Sequence, residues 1–286
     1  MICCSLRHRG EELLAQVGGL AEYEHDGHTM GIPLLYPWAN RLAAFDYEVG
    51  GRTVRIPHDP ERIQLDGHGL PIHGVIGGRQ AWDVTRAPAR DSGSLSARLQ
   101  WDDSKRELFE VFPFRHELVY DARLEHGSLQ LKLSVHASGA DAVPLACGFH
   151  PYIRLPGAPR ERWQVELPAM RRLALDDDQI PVGPEQTFAA RRFALAGREF
   201  DDAFDQLSEP TRFAVEGAGR RVEVEFVDGY PCAQVFAPLN ATCICFEPMA
   251  APPNALRSGS GLRMLASGEH CRATFSIRVR DLPADG

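Results

Sequence analysis

Apolar and polar residues alternate with a period of two along much of this chain, a pattern that fits half-buried strands and little else. Leu129, Leu131, Leu133, Val135 and Ala137 alternate with Gln130, Lys132, Ser134 and His136. Val222, Val224 and Phe226 alternate with Arg221, Glu223 and Glu225; Cys271, Ala273, Phe275, Ile277 and Val279 alternate with Arg272, Thr274, Ser276, Arg278 and Arg280. Successive strand residues point to opposite sheet faces, so each segment offers one face to a core and the other to water, as antiparallel sheets do. Apolar residues at helical spacing are scarce; the nearest approach, Glu11 to Val17, is short and runs into Gly18-Gly19. Turn signals separate the strands at Val49-Gly50-Gly51, His126-Gly127-Ser128 and Asp228-Gly229-Tyr230-Pro231. The 26 glycines and 21 prolines suit many strands joined by tight loops. The expectation is an all-β chain, one large antiparallel β-sandwich over residues 1–286 acting as a single domain. No internal repeat, low-complexity tract or linker is evident; the proline-rich stretch from Pro248 to Pro253 lies between strand-like segments.

Charge and cysteine usage exclude several function classes. The formal net charge is -8 and the acidic residues are dispersed, the densest run being Asp176-Asp177-Asp178. No basic stripe is present, which argues against nucleic acid as a partner. No apolar run reaches the roughly 18 residues of a membrane span, and Met1 to Arg7 carries no apolar segment of secretory type. The seven cysteines are scattered rather than spaced as a framework. Cys243 and Cys245 would share one strand face without disulfide geometry. Buried, reduced thiols and a cytoplasmic location are therefore expected. No Cys or His spacing of zinc type occurs, so no metal is expected.

Five local clusters stand out against the strands. In Gly31-Ile32-Pro33-Leu34-Leu35-Tyr36-Pro37-Trp38-Ala39-Asn40-Arg41-Leu42, the Asn40-Arg41 pair follows a Pro-Trp turn and offers several fixed donors to sugar hydroxyls. The plain alternative is an arginine capping nearby carbonyls. Pro71-Ile72-His73-Gly74 puts one of eleven histidines on a turn. In Ala146-Cys147-Gly148-Phe149-His150-Pro151-Tyr152, the proline holds His150 extended at a strand end. That histidine is either a proton carrier near neutral pH or a core group bonded to a carbonyl. Glu199-Phe200-Asp201-Asp202-Ala203-Phe204 wedges two carboxylates between aromatics, where a solvated turn is the usual reading. Last, Glu247 ends the apolar run Cys243-Ile244-Cys245-Phe246 and precedes Pro248. A carboxylate there must be paired or functional, and burial would raise its pKa toward that of a useful base.

Taken in order, these clusters resemble the aldose 1-epimerase (galactose mutarotase-like) family. That family shows Asn-Arg after a proline turn, then His-Gly, Gly-x-His-Pro-Tyr, an Asp-x-x-aromatic and a late-strand Glu. All five occur here in that order between residues 31 and 256. The resemblance implies a large twisted β-sandwich with a monosaccharide lying across one sheet, and no cofactor. It assigns Glu247 as the base toward the anomeric hydroxyl and His150 as the acid toward the ring oxygen. His73 and Arg41 would bind around that oxygen, Asn40 would support them, and Asp201, rather than Asp202, would accept a sugar hydroxyl. Two departures are expected to matter. The chain starts at what looks like the family's second strand, so another segment would have to cover that sheet edge. Ile153 stands where relatives often carry Phe, which would alter the cleft wall. The oligomer expected is a monomer or a homodimer.

Other readings compete on the same residues. A hexose-6-phosphate mutarotase would need an arginine cluster, for which Arg41, Arg79 and Arg154 are candidates. A glycoside hydrolase would use Asp201 and Glu247 and leave both histidines idle. A non-catalytic carbohydrate-binding protein of the same fold would need neither Glu247 nor His150. A cupin-like metal site could be drawn from His68, His73 and Glu247, without the usual His-x-His pair.

Overall fold

The three alternating segments become the strands Ser128–Ala137, Arg220–Asp228 and His270–Asp281, and they lie side by side in one sheet. Leu131 pairs with Phe275, and Val224 with Ile277, so their apolar sides coincide. The computed structural model describes residues 2–16, 18–26, 29–75, 80–89, 93–183 and 185–283. This nine-stranded antiparallel sheet runs Arg191–Ala194, Gln164–Leu167, Thr211–Gly217, Arg220–Asp228, His270–Asp281, Ser128–Ala137, His116–Glu125, Ser94–Trp101 and Asp83–Arg86. Its outward side chains are charged and cross-paired: Arg221 sits between Glu166 and Glu216 at 2.7 and 2.6 Å. At the hairpin joining His116–Glu125 to Ser128–Ala137, His126 and Gly127 have φ of 50° and 74°, the double left-handed turn that matches strand twist.

A second nine-stranded sheet faces the first. Its order is Ile2–Cys3, Ile32–Leu35, Gly148–Phe149, Ile244–Met249, Cys232–Ala237, Phe200–Asp205, Met170–Arg172 and Gln186–Phe188, with Tyr152–Ile153 also pairing to Ile244–Met249. The strand Ile2–Cys3 thus occupies the edge beside Ile32–Leu35. Between the sheets lies the core, where Phe149 meets Phe275 at 5.0 Å and Phe213 stacks on Phe246 at 5.3 Å. Each such buried side chain contributes roughly 1.5–3 kcal/mol relative to exposure. Ile153, fully buried, belongs to this core rather than to a cleft wall, because it and Tyr152 point to opposite faces.

Helix is limited to Gly19–Asp26, Arg106–Val111, Ala255–Ser258 and one short 3-10 turn among the described residues. The possible helix from Glu11 is instead a strand, Glu11–Glu12, paired with Arg7–His8. The Glu12 carboxylate accepts from the backbone N–H groups of Leu6 and Leu14, which holds that segment extended; Val17 lies outside the described residues. All seven cysteines are free thiols, and Cys147, Cys232, Cys243 and Cys245 are buried. No helix among the described residues is long and apolar enough to cross a membrane.

Strand parity in the second sheet sets up the site. Ile244 and Phe246, Ala233 and Val235, and Phe200 and Phe204 face the core. Their neighbours Cys245 and Glu247, Gln234 and Phe236, and Asp201 and Ala203 therefore face outward. The loops 36–43 and 63–75 supply the remaining groups: Trp38 bridges to Ala146, just before Gly148–Phe149, and Arg41 to Ile72 links the two loops to each other.

Candidate active site

Three adjacent strands carry the floor of the site. Gln234 lies directly opposite both Glu247 and Ala203, and Phe236 opposite both Cys245 and Asp201. Tyr152 completes the second row by pairing with Cys245. His150, just beyond Gly148–Phe149, lies flat on the Tyr152 ring at 4.1 Å and 10° and meets Phe236 edge-on at 5.7 Å. Aromatic packing on two sides holds the plane of the imidazole. His150 Nε2 is 3.2 Å from Glu247 Oε1. The Tyr152 hydroxyl is in turn held by Thr29.

The loops supply the other groups. Asn40 and His73 have left-handed backbones, φ 59° and 63°, and lock each other. His73 N–H donates to the Asn40 carbonyl at 3.0 Å, and Asn40 N–H donates to His73 Nδ1 at 3.3 Å. With Nδ1 accepting, the proton of neutral His73 resides on Nε2. Glycine follows because a β-carbon at Gly74 would lie 2.1 Å from the Tyr36 carbonyl oxygen. The Asn40 side-chain oxygen accepts from Arg41 N–H at 2.8 Å and from Arg41 Nη1 at 3.3 Å. Arg41 Nε donates to Asp66 at 2.6 Å and its Nη2 reaches Asp201 at 3.4 Å. Asp201 also accepts from Gln234 Nε2 at 2.6 Å. Asp202, on the opposite strand face, pairs with Arg172 instead.

Electrostatics divide the site into a dry end and a wetter one. Glu247 and His150 are 1% and 4% exposed, while the Asp201 side chain is 32% exposed. Burial, reinforced by Asp201, pushes the Glu247 carboxyl well above the usual carboxylate range. Burial, and then His73, holds His150 well below the usual imidazole range. His73 itself is brought down to about 3 by burial and by Arg41. Both shifts run the same way, toward a carboxylic acid beside a neutral imidazole. Glu247 Oε2, His150 Nδ1 and Gln234 Oε1 are buried and find no partner among the described residues. Orphaned polar atoms in a dry site are groups a polar ligand would satisfy. At Asp66, burial raises the carboxyl, but the N–H of Leu70 and the Arg41 guanidinium outweigh it and keep it ionised.

The structure thus brings Asn40, Arg41, His73, His150, Asp201 and Glu247 together. Asp66, Gln234, Tyr152 and Phe236 join them without having been singled out as site residues. A cavity of about 320 Å³ meets this group only at His73, where it runs away past Leu35 and Ile63. His68 is not a partner of His73 and Glu247: it pairs with Asp178 near the surface, which removes the cupin-like reading. Among the described residues no three His, Cys, Asp or Glu side chains could hold a metal ion. Of the phosphate candidates, Arg41 is committed to two carboxylates and Arg154 lines a separate groove with Arg160 and Leu239; Arg79 lies outside the described residues.

Two facing nine-stranded antiparallel sheets, with polar groups gathered on the outward face of one, make this a galactose mutarotase-like β-sandwich. Residues 4–278 match the aldose 1-epimerase family, and the chain belongs to it. The uncharacterised protein YihR of Escherichia coli K12 is 25% identical over 279 residues, covering 91% of this chain and 86% of YihR. The crystal structure of the Slr1438 protein from Synechocystis sp. PCC 6803 shares 25% identity and superposes with a TM-score of 0.73 over 97% of this chain and 88% of that one. A galactose mutarotase-like protein from Clostridium acetobutylicum has the same fold, with a TM-score of 0.79, 18% identity and coverage of 95% and 86%.

Proposed function

We propose that the chain interconverts the α and β anomers of a free monosaccharide, residues 1–286 working as one unit. One observation carries this: Glu247 Oε1 and His150 Nε2, two groups otherwise sealed from water, lie 3.2 Å apart. Anomerisation needs such an acid–base pair. O1 and O5 are bonded to the same carbon, so acid and base a hydrogen bond apart can each reach one of them. Glu247 takes the proton from the O1 hydroxyl while His150 delivers one to O5. The C1–O5 bond breaks, giving the open-chain aldehyde. Rotation about C1–C2 presents the other carbonyl face, and closure returns both protons with the roles exchanged. The required Glu247 carboxylate and His150 imidazolium form from a carboxylic acid and a neutral imidazole by a proton shift that leaves net charge unchanged. Acid–base assistance of this kind contributes roughly 10²–10⁴-fold.

The rest of the site suits one neutral pyranose. One strand separates that of Glu247 from that of Asp201, and Asp201 lies one row further along, so their backbones are about 12 Å apart at ordinary strand spacings. That distance fits one ring with a hydrogen bond at each end. Arg41 and Asp201 hold the hydroxyls remote from C1, and His73, neutral at physiological pH, donates near the ring oxygen. The remote end is lined by Asp66 and Asp201, with Asp176, Asp177 and Asp178 on a neighbouring loop, which disfavours a phosphorylated sugar there. A merely carbohydrate-binding role would give the buried Glu247–His150 pair nothing to do.

The test follows freshly dissolved α- and β-anomers of several hexoses by polarimetry, with native and exhaustively chelated protein. Equilibration should accelerate equally with both preparations. Failure with every free hexose, or activity that depends on a restored divalent ion, overturns the proposal.

A further inference from the structure

Two short loops beside the site are built to one plan. Leu65-Asp66-Gly67-His68-Gly69-Leu70-Pro71 and Leu175-Asp176-Asp177-Asp178-Gln179-Ile180-Pro181 share the pattern Leu-Asp-x-x-x-(Leu/Ile)-Pro. This is a local repeat where none was evident in the sequence. In each loop the Asp Oδ1 accepts two backbone N–H groups: His68 and Leu70 at 2.9 Å in the first, Asp178 at 3.0 Å and Ile180 at 2.9 Å in the second. In each, the Asp N–H also donates to the carbonyl four residues on, at 3.0 Å. The fourth residue of the turn takes a left-handed backbone, Gly69 at 78° and Gln179 at 62°. Bridges Leu65–Pro71 and Leu175–Pro181 close the two bases. Four matched interactions and a shared left-handed residue make each loop a stiff projection, the aspartate acting as the internal brace.

Their placement gives the repetition a use. Asp66 Oδ2, left over from bracing the first loop, holds Arg41. The second loop continues the strand Met170–Arg172, with Leu173 N–H on the Ala203 carbonyl, so it rises beside Asp201. The two tips then meet, His68 Nδ1 lying 3.1 Å from Asp178 Oδ1, with both side chains about half exposed. The arch stands at the Arg41–Asp201 end, on the far side from Glu247 and His150.

We infer that this His68–Asp178 arch is the distal wall of the sugar site and sets substrate length, admitting a monosaccharide and rejecting one extended at O4. The inference rests on the mutarotase reading for orientation only: with C1 at Glu247 and His150, O4 points across the ring toward Asp201 and the arch. A second sugar linked there has to displace the His68–Asp178 contact or the loops behind it, and both loops are internally braced.

The experiment compares glucose with maltose, which is glucose carrying a second glucose at O4. Anomerisation is read by exchange NMR and binding by calorimetry, for the native protein, the double variant His68→Ala/Asp178→Ala, and Asp177→Ala as a control on the same loop. The native protein should favour glucose over maltose by about tenfold or more in kcat/KM and in Kd, a typical steric discrimination. The double variant should improve maltose by about tenfold while glucose stays within about threefold, and Asp177→Ala should change neither. Equal handling of the two sugars by the native protein overturns the inference. So does a double variant that shifts both sugars together, or an Asp177→Ala effect as large as that of the pair. A native protein that binds glucose without anomerising it sinks the mutarotase reading, yet a maltose-to-glucose Kd ratio corrected by the double variant still upholds the wall.

Discussion

Glu247→Gln separates chemistry from stability, and the two should move in opposite directions. Gln preserves the shape of the side chain and can donate its amide hydrogen to neutral His150 Nε2 across the same 3.2 Å contact. It cannot accept the anomeric proton. Losing one partner of an acid–base pair costs roughly 10²–10⁴-fold in turnover, or about 3–5 kcal/mol of barrier. Stability follows from linkage. The Glu247 pKa is raised above its reference of 4.5 on folding, so its stabilising contribution is complete below that value and is lost as pH rises toward the folded pKa. The His150 pKa is lowered below its reference of 6.5, so its contribution is complete above 6.5 and is lost as pH falls. Between these reference values the two slopes cancel, because folded and unfolded chains each bind one proton at the pair. From pH 6.5 up to the folded Glu247 pKa the native pair should therefore lose stability as pH rises, by at most one proton's worth, about 1.4 kcal/mol per pH unit. Glu247→Gln removes that loss. The assay is denaturant unfolding at pH 5, 6, 7 and 8 for both proteins, beside polarimetric rates. The expected result is a folded variant, slower by at least about 100-fold, whose stability advantage grows with pH. A rate within a few-fold of native shows Glu247 to be a structural carboxylate, and a pH-independent stability difference refutes the uncharged resting pair.

Two further substitutions test the loop-borne groups. Asp201→Asn should lower kcat/KM by about tenfold or more, since Arg41 and Gln234 lose a charged acceptor, whereas Asp202→Asn should leave turnover within about twofold; equal effects remove the strand-parity argument. Asp66→Ala frees Arg41 and unbraces its loop, for a loss of about 10–100-fold in kcat/KM, the equivalent of one charge-assisted hydrogen bond. Asp66→Asn keeps an acceptor for the loop and should lose less, as steady-state kinetics on both variants would show.

The fold was legible wherever alternation was long. Ser128–Ala137 and His270–Asp281 could be read residue by residue, because each has a single buried face. Gly148–Phe149 and Tyr152–Ile153 could not, since two-residue strands carry no period and owe their pairing to Ile244–Met249. Candidate site residues that break a local pattern, such as His150 before proline and Glu247 closing an apolar run, were visible one by one. Gln234 was not, although a lone amide within Cys232–Ala237 is a polar interruption of a buried strand and could have been questioned. Asp66 was hidden differently: its pattern has meaning only when set beside its twin at Asp176, more than a hundred residues away. Ile153 was misjudged because sequence adjacency to Tyr152 does not imply a shared face.

The parity of Ile244–Met249 also decides by which kinds of mutation this protein can change. Phe246 packs in the core and Glu247 faces the site, one peptide apart. Inserting or deleting a single residue upstream in that strand would send the carboxylate into the sandwich and an aromatic ring into the cleft, destroying both at once. The strands bearing Glu247, Gln234 and Asp201 can therefore drift only by substitution, with their length frozen. The loops carrying His68 and Asp178 have no strand face to invert, so a change of length there costs one loop its aspartate brace but leaves the core and Glu247 in place. New sugar preferences should therefore arise in lineages through insertions and deletions in the loops, while the strands beneath keep their length.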